Sequence, residues 1–140
     1  MVLQQINETL EYLQENLPNL HSDELSRIEI KLSILMASLG EITANAGRVY
    51  NDAEAYRKFS FAEEWNKTRA TYINQGVRVT NTEVENEVVV KTQKYSKIEN
   101  EAEEQYNKLK YLLDTIPQII NSIKDRLKVL EREQRSNMGA

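Results

Sequence analysis

The chain has 140 residues, of which 40% are apolar and 29% charged, with two prolines, four glycines and no cysteine. This composition excludes a disordered polymer rich in proline and glycine, and the lack of cysteine excludes disulfides and Cys-based zinc sites. The formal net charge of -4 argues against a general attraction to nucleic acid. We expect a single all-helical domain over 1–140, with no cofactor and no metal.

Targeting signals are not recognisable in the sequence. No run approaches the roughly 18 apolar residues of a membrane span. The N-terminus does not show the succession of basic, apolar and small residues that marks a signal peptide. We therefore expect a cytoplasmic protein without a membrane partner.

Residues 1–18 predict a short amphipathic helix. Ile6 and Leu13 belong to an apolar stripe at helical spacing, and Pro18 ends the helix. His21, the single histidine, follows in the turn. We interpret it as a solvated linker residue, because it lies in the turn beside the probable N-cap Ser22.

Residues 22–74 predict a long helix. Ser22 has the position of an N-cap, and an apolar seam with heptad spacing follows it. The seam consists of Leu25, Ile28, Leu32, Leu35, Leu39, Ile42, Ala46, Val49, Ala53 and Tyr56. A helix of this length cannot stand alone, because ordering each residue costs about 1–2 kcal/mol before packing repays it. The seam therefore requires a partner helix.

Residues 75–81 predict the connection to that partner. Gly76 supplies a stop, and Thr80 with Glu83 three residues later has the spacing of a capping box. We expect the chain to reverse here and to continue as a second long helix over 82–135.

The second helix repeats the apolar heptad, with seam positions that begin at Val84 and Val88 and include Ile98, Leu109 and Ile116. If the chain reverses in the connection, the two seams face each other in pairs whose residue numbers sum to about 154. This register places Tyr56 beside Ile98 and Leu39 beside Ile116. Pro117 removes a backbone donor inside this helix and predicts a kink or a break there.

The apolar stripes are wider than one seam requires. Ile30, Leu113, Ile120 and Leu127 lie outside the heptad positions, so a third helix or another subunit is needed to cover them. We predict an all-α fold: a long antiparallel helical hairpin, coiled-coil-like, with a short N-terminal helix, as part of a helical bundle or homo-oligomer.

Small residues form a separate face of the first long helix. Ala37, Gly40, Ala44 and Gly47 recur at spacings of three and four, and each glycine inside a helix costs about 1 kcal/mol relative to alanine. Something is therefore expected to pack closely against them. The face is either an oligomer contact or the groove in which the N-terminal helix docks.

Enzymatic motifs are absent from the sequence. It contains no glycine-rich phosphate loop, no GxSxG elbow, no HExxH pair and no calcium-loop spacing. The adjacent pair Glu63-Glu64 points in directions about 100° apart on a helix, so the two carboxylates cannot share one site. We predict a protein that is not an enzyme and has no catalytic residue.

A basic and aromatic segment surrounds the predicted reversal. Residues 57–98 carry eight basic and five acidic side chains, whereas residues 1–56 carry three and nine. The candidate nucleic-acid-binding residues are Arg57, Lys58, Phe59, Phe61, Trp65, Lys67, Arg69, Arg78, Lys91, Lys94 and Lys97. Aromatic rings that stack on bases, combined with cations that follow phosphates, are typical of single-strand binding. The alternative is a structural cap, in which the aromatics form a small core ringed by lysines.

The order of the elements resembles the UvsY-like recombination mediators of phages. The likeness covers nearly the whole chain: a short N-terminal helix, a long helix, a basic middle connection and a tyrosine-bearing C-terminal helix that contains Ser-Ile-Lys-Asp-Arg at residues 122–126. The resemblance implies a homo-oligomer that binds single-stranded DNA, displaces single-strand-binding protein and helps to load a recombinase. Because the chain is acidic overall, DNA contact would fall to residues 57–97.

A second interpretation is a helical protein–protein adaptor, such as a phage assembly factor or an inhibitor of a host protein. The spare apolar positions would then contact another protein. Salt separates the two functions, since single-strand binding weakens by about 0.7 in log K per contacted phosphate, whereas an apolar contact hardly weakens.

Overall fold

The computed structural model describes residues 1–139 and is helical almost throughout. Its elements are α1 (Val2–Asn16), a 3-10 turn (Leu17–Asn19), α2 (Ser22–Asn74), α3 (Asn81–Lys91) and α4 (Gln93–Gly139). The described part of the chain contains no strand, and α2 and α4 pack against each other as a hairpin. The predicted all-α hairpin with a short N-terminal helix is confirmed. Over the same residues, no helix combines the length and the apolar character needed to cross a membrane.

Two compact units make up the structure. The first contains Met1–Ala44 together with the chain from Lys108 onwards, and the second contains Asn45–Asn107. Each unit thus includes part of α2 and part of α4. That residues 1–140 form one all-helical domain stays a prediction.

The first unit has an apolar core built from three helices. Its most buried side chains are Ile6, Leu13, Leu20, Leu25, Leu32, Leu35, Leu39, Leu109, Ile116, Ile120 and Ile123. The hydroxyl of Tyr12 donates to Glu24 over 3.3 Å, which ties α1 to the start of α2. Lys124 on α4 lies 3.8 Å from the carboxylate of Glu29 on α2. The N-terminal helix therefore supplies a third helix to this unit; Ile120 is buried there, whereas Ile30 stays 61% exposed.

The second unit has a smaller and more polar core. Val84 and Val88 are its fully buried apolar side chains, while Ser60, Thr68 and Thr92 are buried beside them. No helix corresponding to α1 is present among the residues of this unit. In the second unit, α2 therefore packs only against the returning chain, which consists of α3 and the start of α4.

The heptad register predicts the first unit well and the second unit poorly. Leu39 and Ile116 are both fully buried, but Val49, Tyr56 and Ile98 are 52%, 57% and 53% exposed. An α-helix has 3.6 residues per turn, so a strict heptad seam drifts by about 20° per heptad around a helix that is not supercoiled. After several heptads the contact face has moved by about one residue. Tyr56 and Ile98 are therefore not buried in the predicted seam, and the ring of Tyr56 meets that of Tyr95 instead.

The reversal follows the predicted turn chemistry. Gly76 has a φ of 68°, a left-handed conformation that glycine adopts without strain. The Thr80 hydroxyl accepts a hydrogen bond from the Glu83 amide over 3.1 Å, and the Thr80 amide donates to the Glu83 carboxylate over 3.2 Å. This reciprocal pair is the capping box that starts α3.

The interruption of the returning helix lies at Thr92 and not at Pro117. Thr92 has φ -102° and ψ 9°, and its hydroxyl donates to the carbonyl of Val88 over 2.8 Å, in competition with regular helix bonding. Pro117 lies inside α4, where buried neighbours such as Ile116 hold the helix in place. α4 also continues beyond the predicted end at residue 135 to Gly139. Ala140 lies outside the described residues.

Candidate nucleic-acid interface

In the second unit, polar contacts join α2 to α3. The hydroxyl of Tyr72 donates to the carboxylate of Glu87 over 2.7 Å, and the ammonium of Lys91 donates to the hydroxyl of Thr68 over 3.2 Å. Residues that are distant in sequence but lie on either side of Gly76 are therefore neighbours. The basic and aromatic segments meet as the sequence predicts.

A cleft of about 250 Å³ lies between α2 and the junction of α3 with α4. It is lined by Tyr56, Phe59, Ser60, Glu63, Glu64, Lys67, Lys91, Lys94 and Tyr95. Four predicted residues are among these: Phe59, Lys67, Lys91 and Lys94. We call this feature the mixed cleft, because lysines, carboxylates and aromatic rings share it.

A broader and shallower depression of about 750 Å³ runs along α3 and α4 beside these residues. Lys91, Lys94 and Lys97 line it together with Val90 and, further along α4, Glu101. The three lysines predicted on the returning helix therefore share one surface. Lys91 and Lys94 belong to both this depression and the mixed cleft.

The remaining predicted residues do not line the mixed cleft. Phe61 and Trp65 are half-buried on α2, and Arg78 is exposed in the connection before α3. The guanidinium of Arg69 lies 5.3 Å from the centre of the Trp65 ring, a cation–π contact one helical turn apart. Trp65 and Arg69 thus form a pair of their own.

Carboxylates already neutralise four of the predicted phosphate ligands. Arg57 on α2 forms an ion pair with Glu99 on α4, and both side chains are largely buried. The other three are pairs along a helix, four residues apart: Lys58 with Glu54 at 2.7 Å, Lys67 with Glu63 at 2.9 Å, and Lys91 with Glu87 at 3.2 Å. Arg57 therefore joins two helices, whereas the lysine pairs lie on the surface, where ion pairs are weak.

Aromatic rings are exposed at the mouth of the mixed cleft. Phe59 is 64% exposed. Tyr56 and Tyr95 meet edge to face, with ring centres 5.1 Å apart at an angle of 85°. The Lys94 ammonium lies 4.9 Å from the centre of the Tyr95 ring. The Tyr95 ring and the Lys94 ammonium thus lie side by side at the mouth of the mixed cleft.

Hydrogen bonds adjust the ionisation of the groups around the cleft. The Tyr72 hydroxyl, and then Lys91, lower the pKa of the Glu87 carboxyl. The same contact with Glu87 raises the pKa of Tyr72. The carboxylate of Glu63 raises the pKa of Lys67 through a hydrogen bond. At neutral pH Glu87 is therefore ionised and Lys67 is protonated, so each carries the charge that its ion pair needs.

Sequence reasoning omitted the acidic residues from the site. Residues 45–107 contain eleven acidic and nine basic side chains, so the second unit as a whole is acidic. Glu63 precedes Lys67 by four residues, and Glu87 precedes Lys91 by four. This helical spacing predicts ion pairs, so the neutralisation could have been found from the sequence. Ser60 and Glu64 carried no comparable signal.

The stripe of small residues is divided by the structure. A Cβ placed on Gly47 would lie 3.0 Å from the ring of Tyr106, so this ring packs closely against Gly47 inside the second unit. A Cβ on Gly40 would have nothing within 4 Å, and Ala37 and Ala44 are exposed. The N-terminal helix does not dock at Gly40, which removes the groove interpretation there. The oligomer contact stays a prediction.

Among residues 1–139, no three His, Cys, Asp or Glu side chains are grouped in a way that could hold a metal ion. His21 is exposed between the 3-10 turn and α2.

Comparisons with protein-family models, with curated proteins and with solved structures find no match to this chain. The resemblance to phage recombination mediators thus stays a prediction from the order of elements.

Proposed function

We propose that this protein is a non-enzymatic accessory protein that binds single-stranded DNA at the mixed cleft, in recombination or replication of the phage type. The observation that carries the proposal is the exposed ring of Phe59 in a cleft that Lys67, Lys91 and Lys94 line. A base that stacks on such a ring contributes about 1–3 kcal/mol, and lysines neutralise the adjacent phosphates.

The lysines of the cleft differ in their availability. Lys94 forms none of the ion pairs found among the described residues and lies over the Tyr95 ring. Lys67 and Lys91 would have to exchange Glu63 and Glu87 for phosphate. Exposed pairs along a helix are weak and screened by salt, so this exchange is a small obstacle. Lys97 extends the cationic surface along α4.

A triple variant tests the proposal. K67Q/K91Q/K94Q removes the cleft cations and keeps the helical character of each position. A control variant removes three lysines of the first unit: Lys110, Lys124 and Lys128. Fluorescence anisotropy with a labelled single-stranded oligonucleotide is measured at several salt concentrations. Helical circular dichroism of each variant is recorded alongside.

The expected result is a flatter salt dependence for the cleft variant alone. Losing three phosphate contacts reduces the slope of log K against log salt by about 2. F59A should weaken binding by roughly tenfold, the loss of one stacked base. If the two triple variants bind equally well, or if the wild type does not bind at all, the proposal is wrong.

A second function, protein–protein adaptor, is favoured by the exposed apolar side chains of the second unit. Val49 and Ile98 are about half exposed, and Val90 is 71% exposed. A helix of another protein, such as a recombinase or a single-strand-binding protein, would cover them. This function predicts that a protein partner stays bound at high salt. I98S should lose this binding, whereas K67Q/K91Q/K94Q should keep it.

A further inference from the structure

An apolar stripe on the outer face of α2 is left uncovered in the first unit. Ile30 and Ile34 are 61% and 63% exposed, and Ala37 and Ala44 are exposed on the same face. With 3.6 residues per turn, this face is opposite the one that carries the fully buried Leu39. We call Ile30, Ile34, Ala37 and Ala44 the outer stripe.

The spacing of the outer stripe is that of a helix–helix seam. Its members follow one another at intervals of four, three and seven residues, and Glu41 occupies the intermediate seam position. Beside it, Gly40 has open space where a Cβ would be. A helix that approaches here meets two large apolar side chains flanked by small residues, so the backbones can come close.

Charged residues at the two ends of the outer stripe have opposite signs. Arg27 and Lys31 lie towards the N-terminal end, and Glu41 lies towards the C-terminal end; all three are exposed. None of them takes part in an ion pair within the described residues. Their charges are therefore available to a partner.

We propose that the outer stripe pairs with the outer stripe of a second copy of this chain, in antiparallel orientation. When Ile34 lies opposite Ala37 of the second copy, Glu41 comes within one helical turn of Arg27 and Lys31 of that copy. A parallel arrangement would place Glu41 against Glu41 and Arg27 against Arg27, which repels. The charge pattern thus selects both the partner and its direction.

The proposed contact is small. It involves about five turns of one helix from each copy, and contacts of this size belong to the weak and transient class. The dimer should therefore form in a concentration-dependent manner. The contact needs no nucleic acid, so a failure of the proposed dimerisation would not contradict the proposed DNA binding, and the reverse also holds.

Sedimentation velocity over roughly a hundredfold range of protein concentration tests the proposal. The full chain is compared with I34N, which adds a polar group to the outer stripe, and with E41K, which reverses one charge. R27E/K31E/E41K exchanges all three charges and should restore pairing. E11K, an exposed site on α1 with the same change in charge, is the matched control.

We expect the wild type and E11K to pass from the 16.3 kDa monomer to twice that mass as the protein concentration rises. I34N stays monomeric, E41K associates at least tenfold more weakly, and R27E/K31E/E41K recovers. A wild type that is monomeric throughout, as it would be if a different protein covers this face, overturns the proposal. Dimers that persist in I34N overturn it as well, and failure of R27E/K31E/E41K to recover overturns the antiparallel arrangement.

Discussion

Two valine-to-alanine substitutions in the second unit distinguish the burial predicted by the heptad register from the burial observed in the structure. Val49 and Val88 both occupy predicted seam positions, but Val49 is 52% exposed and Val88 is fully buried. V88A loses about 0.8 kcal/mol for each of two buried carbons and leaves a cavity, for a total of about 1.5–3 kcal/mol. V49A loses about half of the transfer term, and the higher helix propensity of alanine offsets most of it, so its net change is within about 0.5 kcal/mol.

Urea unfolding measures this difference. Trp65, the single tryptophan, lies in the second unit and reports its unfolding by fluorescence, while far-UV circular dichroism follows the whole chain. With an m value near about 2 kcal/mol/M, V88A should lower the midpoint by roughly 1 M and V49A should hardly move it. The gain in helix propensity is the same in both variants, so it cancels in the comparison. Equal losses in V49A and V88A would refute the rotated contact face.

Three further substitutions test local features. G40A should raise the free energy of unfolding by about 0.5–1 kcal/mol, because its Cβ enters open space; G47A should gain less, since its Cβ meets a ring at 3.0 Å. T80A removes one half of the capping box and should lower the free energy of unfolding by about 1 kcal/mol. The lowered pKa of Glu87 stabilises the fold fully above its unfolded pKa of about 4.3, and this contribution is lost as the pH falls through the lower folded value. Thermal unfolding from neutral to acidic pH should therefore show a smaller acid-induced loss in E87Q than in the wild type, and Y72F should lie between them.

The predictability of the candidate site was uneven. The reversal at Gly76 and the capping box at Thr80 use residue types whose conformational preferences are local, so the sequence predicts that the basic and aromatic segments meet. Which of these residues share a cleft depends on the rotation of each helix about its axis. Phe59 and Lys67 come to line the cleft, whereas Trp65 packs with Arg69.

Interruption of the returning helix was decided by tertiary packing. Proline is the residue that most strongly disfavours a helix interior, yet Pro117 lies within α4, directly after the buried Ile116. The irregularity falls at Thr92 instead, in the more polar core of the second unit, where a buried hydroxyl finds its acceptor on the preceding turn. The helix propensity of a residue affects about one turn of the chain, whereas side-chain packing between two helices stabilises them along their whole length.

By itself the sequence determined the number of long helices, their antiparallel pairing and the position of the turn, because apolar periodicity, glycine and caps act on neighbouring residues. Only the tertiary structure decided which seam residues are buried. A helix turns by 100° per residue, and a small difference between 3.5 and 3.6 residues per turn accumulates along α2. Over this length it carries Tyr56 from the predicted interior to the surface.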